Sequence, residues 1–268
     1  MPLRMPRRAA MLLKTGQTTS YSSENDDGHF QTGIAKSYTV LSTGAYSGTV
    51  NLDLAHYTGG AGAIAFDNVA KTITDTGNGL AMFKTNDVIM TDAPNNPGPF
   101  TVTTGNVAGT ITCAAATFVT ETPAGAITLS KREAKSNNAV LDNNTGLMWS
   151  RYVSASMGTA SDGKMPWTGQ LYDIFAYAAA ANAASLAGYT DWRVANIPEL
   201  LSLLVGEAPA GIVDTTAFPG WPNSGGMFSS TTEPDITANA LYVGFNNYTV
   251  GLVAKTTAVV TALVRGGA

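Results

Sequence analysis

The chain has 268 residues, of which 44% are hydrophobic and only 13% charged, and its net charge is −4. This length allows about two domains, and the weakly acidic balance offers no basic surface for nucleic acid. The single cysteine, Cys113, excludes an intrachain disulfide, and no apolar run reaches the roughly 20 residues that cross a bilayer.

Residues 1–58 are expected to form an irregular, Ser/Thr-rich arm. Its polar cluster "SSENDDGHF" (22–30) is followed by the alternating runs "SYTVLS" and "GTVNLDL". The apolar run "AAMLL" near the start is too short for a signal peptide. We therefore expect that the protein is made and kept in the cytoplasm, or leaves the cell by lysis or inside a particle. The arm is expected to serve attachment or assembly.

Residues 59–131 change character and predict a small all-β module. Short runs rich in Val, Ile, Phe and Thr, such as "AIAFD", "KTITD" and "FTVTT", are separated by turn residues, as in "DTGNG" and "APNNPGP". The charged stretch "KREAKSNN" (131–138) is a linker candidate.

Residues 139–268 hold all four tryptophans and two predicted helices. The first covers 168–188, with Thr168 as its N-cap and Gly188 as its stop. The second starts at Asn196, where Glu199 three residues later completes a pattern typical of a capping box. Strand-like runs follow, among them "ALYVGF" and "AVVTALVRG".

Several motifs in this segment carry a family likeness. In order, "NTGLMW" (144–149), "AGYTDWRVANIPEL" (187–200), "ALYVGF" (240–245) and "VRGG" (264–267) resemble the DUF1566 family, also known as the C-terminal domain of the Legionella collagen-like adhesin. The resemblance implies a variant of the C-type-lectin fold, found in bacterial surface proteins, phage tail proteins and retroelement-diversified proteins. We therefore expect an α+β chain: a C-type-lectin-like domain preceded by the β module and the irregular arm. The same likeness predicts that "TGLMW" and "ALVRGG" pair as strands, with Arg265 in an ion pair or hydrogen-bond network.

Catalytic and metal chemistry find little support in these residues. The only histidines, His29 and His56, lie in the N-terminal third and, with one cysteine, cannot complete a four-ligand zinc site. Ser229 and Ser230 have no histidine in the same domain to activate them, and Cys113 in "TITCAAA" is typical of a buried, inert thiol. We expect no enzyme activity, cofactor or metal, although a site built from carboxylates alone stays an alternative.

A ligand-binding face is predicted around "ALYVGF" and the turn that follows it. Period-2 alternation directs Leu241, Val243 and Phe245 to the core and Tyr242 to the other side. A Gly/Pro-rich loop, "PGWPNSGG" (219–226), adds an aromatic residue. The resemblance also implies that residues 239–249 coincide with the segment that varies in the retroelement-diversified members. The predicted ligand-binding residues are Trp221, Asn223, Asn239, Tyr242, Asn246, Asn247 and Tyr248. The alternative is that Trp221 fills a gap in the core and the Asn pair merely turns the chain.

These features favour a non-enzymatic receptor-binding protein of a phage tail. Its lectin-like domain would bind a host-surface glycan or protein without inserting into a membrane. Its arm would contact other virion tail proteins, and a homotrimer is expected by analogy with tail fibres. The alternative is a bacterial surface adhesin or retroelement-diversified protein of the same fold.

Overall fold

In a computed structural model, the chain is described at residue 20 and over residues 33–114, 117–154, 163–204, 213–221, 225–245, 247 and 249–266. These residues form three antiparallel or mixed sheets and two α-helices. The helices are short. α1 (Ile174–Ala183) and α2 (Ile197–Ser202) contribute far less of the fold than the strands do. Within these ranges, no helix is long and apolar enough to cross a bilayer.

The predicted α+β, C-type-lectin-like fold class is wrong, because the chain folds as a β-rich protein. The first predicted helix shrinks to ten residues, since Asp173 rather than Thr168 caps it by accepting hydrogen bonds from two backbone N–H groups. Its C-terminal end is set by left-handed backbone at Ser185, Ala187 and Gly188. The segment predicted to be irregular also contributes paired strands, at residues 38–41 and 49–59.

One sheet of the C-terminal part has five strands. Its spatial order is β1 (Tyr38–Leu41), β9 (Ala139–Asp142), β10 (Leu147–Ser150), β16 (Leu263–Gly266) and β11 (Arg193–Val194). β10 and β16 pair antiparallel, with Met148 opposite Arg265, so the predicted pairing of "TGLMW" with "ALVRGG" is confirmed. The sheet brings the two ends of this part of the chain together.

A second sheet has four strands. Its order is β14 (Thr249–Ala254), β13 (Asn239–Gly244), β12 (Gly226–Thr232) and β15 (Val260–Thr261). β14 is an edge strand, and β15 runs parallel to β12.

The third sheet has seven strands. Its order is β2 (Thr49–Gly59), β8 (Ile127–Ser136), β5 (Val88–Thr91), β6 (Phe100–Val107), β7 (Thr110–Cys113), β4 (Thr72–Asp75) and β3 (Ile64–Asp67). The linker candidate "KREAKSNN" is mostly strand β8, where Lys131, Glu133 and Lys135 are all buried. Charge density suggested a solvated linker, but alternation directs these three side chains inward. The division of the chain at residues 58, 131 and 139 stays a prediction.

Three hydrophobic cores hold the sheets together. Core A consists of Leu52, Leu54, Ala139, Met148, Met165, Ile174, Tyr177, Ala178, Ala181, Leu186, Ala187, Trp192, Val194, Phe228, Ala240 and Leu263. Core B consists of Val140, Trp149, Val153, Ala195, Leu200, Leu203, Val213, Ala217, Phe218, Trp221, Met227, Val243, Phe245, Val260, Ala262 and Val264. Core C, inside the seven-stranded sheet, consists of Ile64, Phe66, Ile73, Leu80, Phe83, Ile89, Ala93, Phe100, Val102, Ile111, Cys113, Phe118, Ile127 and Leu129.

Neighbouring residues on the strands of the C-terminal part face different cores. Phe228 packs in core A and Met227 in core B, and the same holds for Ala240 and Val243 on the next strand. Strand side chains alternate between two faces, so both faces of the four-stranded sheet are at least partly covered. Core A also receives Leu52 and Leu54 from β2, which joins the seven-stranded sheet to the C-terminal part.

Candidate functional site

Trp221 lies in core B rather than on the surface. Its side chain is 4% exposed, its indole Nε1 donates a hydrogen bond to the carbonyl of Arg151, and its ring contacts Phe218, Trp149 and Phe245. The prediction that Trp221 is exposed is therefore wrong. The Gly/Pro-rich composition of its loop signalled a surface turn, but a large aromatic with a satisfied N–H is stable inside a core.

Tyr242 is half-buried and lies across the four-stranded sheet. Its neighbours on the flanking strands are Gly226 on β12 and Gly251 on β14, and a Cβ atom on either glycine would overlap the Tyr242 ring. The ring therefore occupies the space above both glycines, at the margin of core A. Alternation predicted a face free of core contacts here, but Ala240 and Phe228 on the same face belong to core A.

The remaining predicted residues fall into two groups. Asn239, at the start of β13, is half-buried, and Asn247, in the turn after β13, is exposed and accepts a hydrogen bond from the Thr249 hydroxyl. Asn223, Asn246 and Tyr248 lie outside the described residues.

The edge strand β14 exposes apolar side chains on the face of the sheet opposite to Tyr242, since Val250 pairs with Val243 and Leu252 with Leu241. Val250 and Leu252 are close to half exposed, and a shallow cavity of about 220 Å³ is lined by Gly226, Tyr242, Leu252, Val253 and Val259. We call Tyr242, Val253, this cavity and Asn247 of the adjoining turn the β13–β14 face. It offers one aromatic ring, apolar side chains and an amide, a combination that suits contact with a sugar or a protein surface.

The ionic residues of "AGYTDWRVANIPEL" form ion pairs. Arg265 donates two hydrogen bonds to Asp191 and lies over the Tyr189 ring, which confirms its predicted network. Arg193 pairs with Glu199, whose carboxylate also accepts the backbone N–H of Asn196. Among the described residues, no group of three or more His, Cys, Asp and Glu side chains is arranged to hold a metal ion.

The candidate nucleophiles have structural partners or a raised pKa. Ser229 donates a hydrogen bond to the carbonyl of Leu241 and accepts one from the N–H of Thr231, and it is fully buried. Burial raises the pKa of the Cys113 thiol to about 11, which keeps it protonated and unreactive near neutral pH.

A second concave surface was not predicted from the sequence. It lies between the seven-stranded sheet and the C-terminal part, and it is lined by residues as far apart in sequence as His56 and Ala258. No local motif joins such distant positions. The one available signal was the stretch "KREAK", whose first lysine lines this cleft.

The β-rich C-terminal part, with two cores and a half-buried Tyr242, is similar to a domain of adhesin-like surface proteins. Residues 138–265 match the model of the Lcl C-terminal domain, the C-terminal domain of the Legionella collagen-like protein. Neither a curated protein nor a solved structure matches the chain.

Proposed function

We propose that this chain is a non-enzymatic attachment protein, carried on a phage tail, whose Lcl C-terminal domain binds a ligand on the host surface. The observation that carries this proposal is the position of Tyr242, whose ring lies above Gly226 and Gly251 and lines a shallow cavity with Leu252 and Val253. An aromatic ring held by its neighbours loses little conformational entropy on binding. The adhesin-like family of the domain supports the same direction.

Binding is favoured over catalysis by the state of the candidate nucleophiles. Ser229 is committed to buried backbone hydrogen bonds, and the Cys113 thiol is buried with a raised pKa. Both histidines of the chain precede the C-terminal domain, so neither serine of "FSSTT" has a local base. A ligand-binding role requires none of these groups.

The phage-tail location and the trimer rest on sequence resemblance and analogy. In this proposal residues 1–58 contact other tail proteins, and the domain contacts a host glycan or protein. A bacterial surface adhesin is the alternative. The two separate by fractionation: the tail proposal predicts that the chain sediments with phage particles, and the adhesin alternative predicts that it stays with the cell envelope.

The ligand face is tested by binding of the labelled, purified chain to a panel of bacterial cells. Tyr242→Ala should fold normally and lose most of the binding, and Asn247→Ala should weaken it. The matched control is Tyr189→Ala, which removes another half-buried tyrosine, on the side of the domain where Arg265 lies. Full binding by a folded Tyr242→Ala variant would contradict the β13–β14 face, and absence of saturable binding to every cell type would contradict the attachment function.

A further inference from the structure

The concave surface between the seven-stranded sheet and the C-terminal domain is a cleft of about 630 Å³. One wall carries His56, Lys84 and Lys131, and the other carries Lys164, Gln170 and Tyr172. We call this surface the basic cleft. Its volume lies within the range of about 300–1,000 Å³ that is usual for small-molecule sites.

A β-bulge directs His56 into the basic cleft. His56 is the extra residue between Ala55 and Tyr57 where β2 pairs with β8. Its ring stacks on Tyr172 of the opposite wall, with ring centroids 4.4 Å apart and planes within 4°. Bulges of this kind often re-aim a side chain next to a functional site. The stacked pair joins the two walls and gives the cleft a flat aromatic boundary.

The proton on His56 is fixed by a backbone contact. Nδ1 lies 2.7 Å from the carbonyl oxygen of Leu54, which can only accept, so Nδ1 carries the hydrogen. Burial, together with the nearby Lys131 ammonium, lowers the pKa of His56. Nε2 is therefore the second hydrogen-bonding atom of a neutral ring at neutral pH.

The charge of the basic cleft opposes that of the whole chain. The chain has a net charge of −4, yet three lysines line this cleft, and among its described lining residues there is no aspartate or glutamate. Lys131 forms an ion pair with the buried Asp87, with 2.8 Å between Lys131 Nζ and Asp87 Oδ1. Lys84 and Lys164, both exposed, also line the cleft, and Lys84 Nζ is positioned by a hydrogen bond to the Ala81 carbonyl.

The residue types in the cleft indicate the class of anion. Planar carboxylates are matched best by the fork of arginine, whereas the compact ammonium of lysine acts as a point charge that suits a phosphate group. All cationic side chains lining the described part of the cleft are lysines. The His56–Tyr172 stack bounds a flat ring, and Gln170 offers an amide for hydroxyl groups.

We propose that the basic cleft binds a phosphate-bearing sugar, with Lys84 and Lys164 contacting the phosphate and the His56–Tyr172 pair bounding the sugar ring. The site is formed by both walls, so it exists only where the seven-stranded sheet packs on the C-terminal domain. It is separate from the β13–β14 face and does not depend on the attachment function.

Calorimetric titration of the full chain tests this proposal with three probes. Glucose 6-phosphate should bind, inorganic phosphate should bind more weakly, and glucose should not bind measurably. Lys84→Gln and Lys164→Gln should each weaken glucose 6-phosphate binding by about tenfold, the scale of one lost charge-assisted hydrogen bond. Lys71→Gln is the matched control, since it removes a lysine from the far end of the same sheet, where Lys71 bonds Asn68.

Tyr172→Leu separates the sugar contact from the phosphate contact. It should weaken glucose 6-phosphate binding and leave inorganic phosphate binding unchanged. Because the chain has only two histidines, imidazole resonances in NMR spectra give a second readout: glucose 6-phosphate should shift His56 and not His29. Equal affinity for glucose and glucose 6-phosphate, no binding of glucose 6-phosphate, or unchanged affinity in Lys84→Gln and Lys164→Gln would each overturn the proposal. Tyr242→Ala should leave this binding intact.

Discussion

Lys135 is a fully buried lysine that lies between the seven-stranded sheet and the C-terminal domain. Its Nζ donates hydrogen bonds to the carbonyls of Tyr152 and Val153, and it lies 5.7 Å from the centre of the Tyr177 ring. Burial, opposed by the Glu133 carboxylate, lowers the pKa of Lys135 from 10.5 to about 7. A neutral amine still has two N–H groups, so both hydrogen bonds survive deprotonation.

This pKa predicts a pH-dependent stability. Between about pH 7 and pH 10 the unfolded chain, whose lysine has its ordinary pKa, binds more protons than the folded one, so the free energy of unfolding rises with pH. Urea unfolding of the wild type near pH 7 and near pH 9 should show this rise. Lys135→Met should lose most of it, with the remainder assigned to Lys36, whose pKa burial lowers to about 8. An equal rise in both proteins would show that Lys135 keeps its proton on folding.

At the residue scale, the sequence predicted the interactions and the reactivity of side chains better than it predicted their solvent exposure. The ion pair of Arg265 followed from its place in an ordered motif, and the inert state of Cys113 followed from its strand. The burial of Trp221 did not follow, because a Gly/Pro-rich loop looks the same in sequence whether its aromatic points outward or inward. Lys131 and Lys135 were misread for a related reason: a short charged stretch indicates solvent unless the partners that bury it are known.

The N-terminal cap of α2 is the local structure that the sequence predicted most completely. The Asn196 side chain accepts the N–H of Glu199, and the Glu199 carboxylate accepts the N–H of Asn196, so the predicted capping box is present. Burial opposes ionisation of Glu199, but the hydrogen bonds from Arg193 and the Asn196 backbone outweigh it and lower its pKa.

The cap can be tested by substitution. Asn196→Ala should lower the free energy of unfolding by about 0.5–2 kcal/mol, because one backbone N–H of the first turn loses its acceptor. Asn196→Asp, which keeps an acceptor oxygen, should stay within a few tenths of a kcal/mol of the wild type. The measurement is the urea midpoint with its slope. Equal losses in both variants would mean that the amide N–H₂ of Asn196, not its oxygen, stabilises the helix start.

At the element scale, the pairing of two strands was predicted only where both strands belong to motifs of the family. The β10–β16 pair follows from the family order of motifs, whereas the pairing of β2 with β8 joins segments about 80 residues apart without a shared motif. The alternation of "ALYVGF" located Val243 and Phe245 in a core correctly. It did not reveal core A on the other side, because the residues that cover that face come from α1 and β2.

At the scale of the whole molecule, core A joins the two parts of the chain. Leu52 and Leu54 of β2 pack with Tyr177 and Phe228 of the C-terminal domain, while β1 pairs with β9. The segment expected to be an irregular arm therefore supplies both a strand to the domain's five-stranded sheet and part of its core. A separate spacer module would have no such shared core.

Shared burial predicts that the described parts unfold together. All four tryptophans lie in residues 149–221, so tryptophan fluorescence reports the C-terminal domain. Leu80→Ala, in core C of the seven-stranded sheet, should lower stability by about 2–5 kcal/mol and should shift the fluorescence midpoint as much as the circular dichroism midpoint. A fluorescence transition that stays in place while circular dichroism shifts would show that the two parts unfold independently.

The central claim is that this chain binds a surface ligand and leaves it chemically unchanged. The direct measurement is to incubate the purified chain with cell-envelope fractions from a cell type that it binds, and to record retention of the chain together with the mass spectrum of the soluble fraction. The account predicts saturable retention, most of which Tyr242→Ala removes, and no release of envelope fragments above the level seen without protein. Release of fragments that grows with time in the wild type would contradict it and identify the chain as an enzyme.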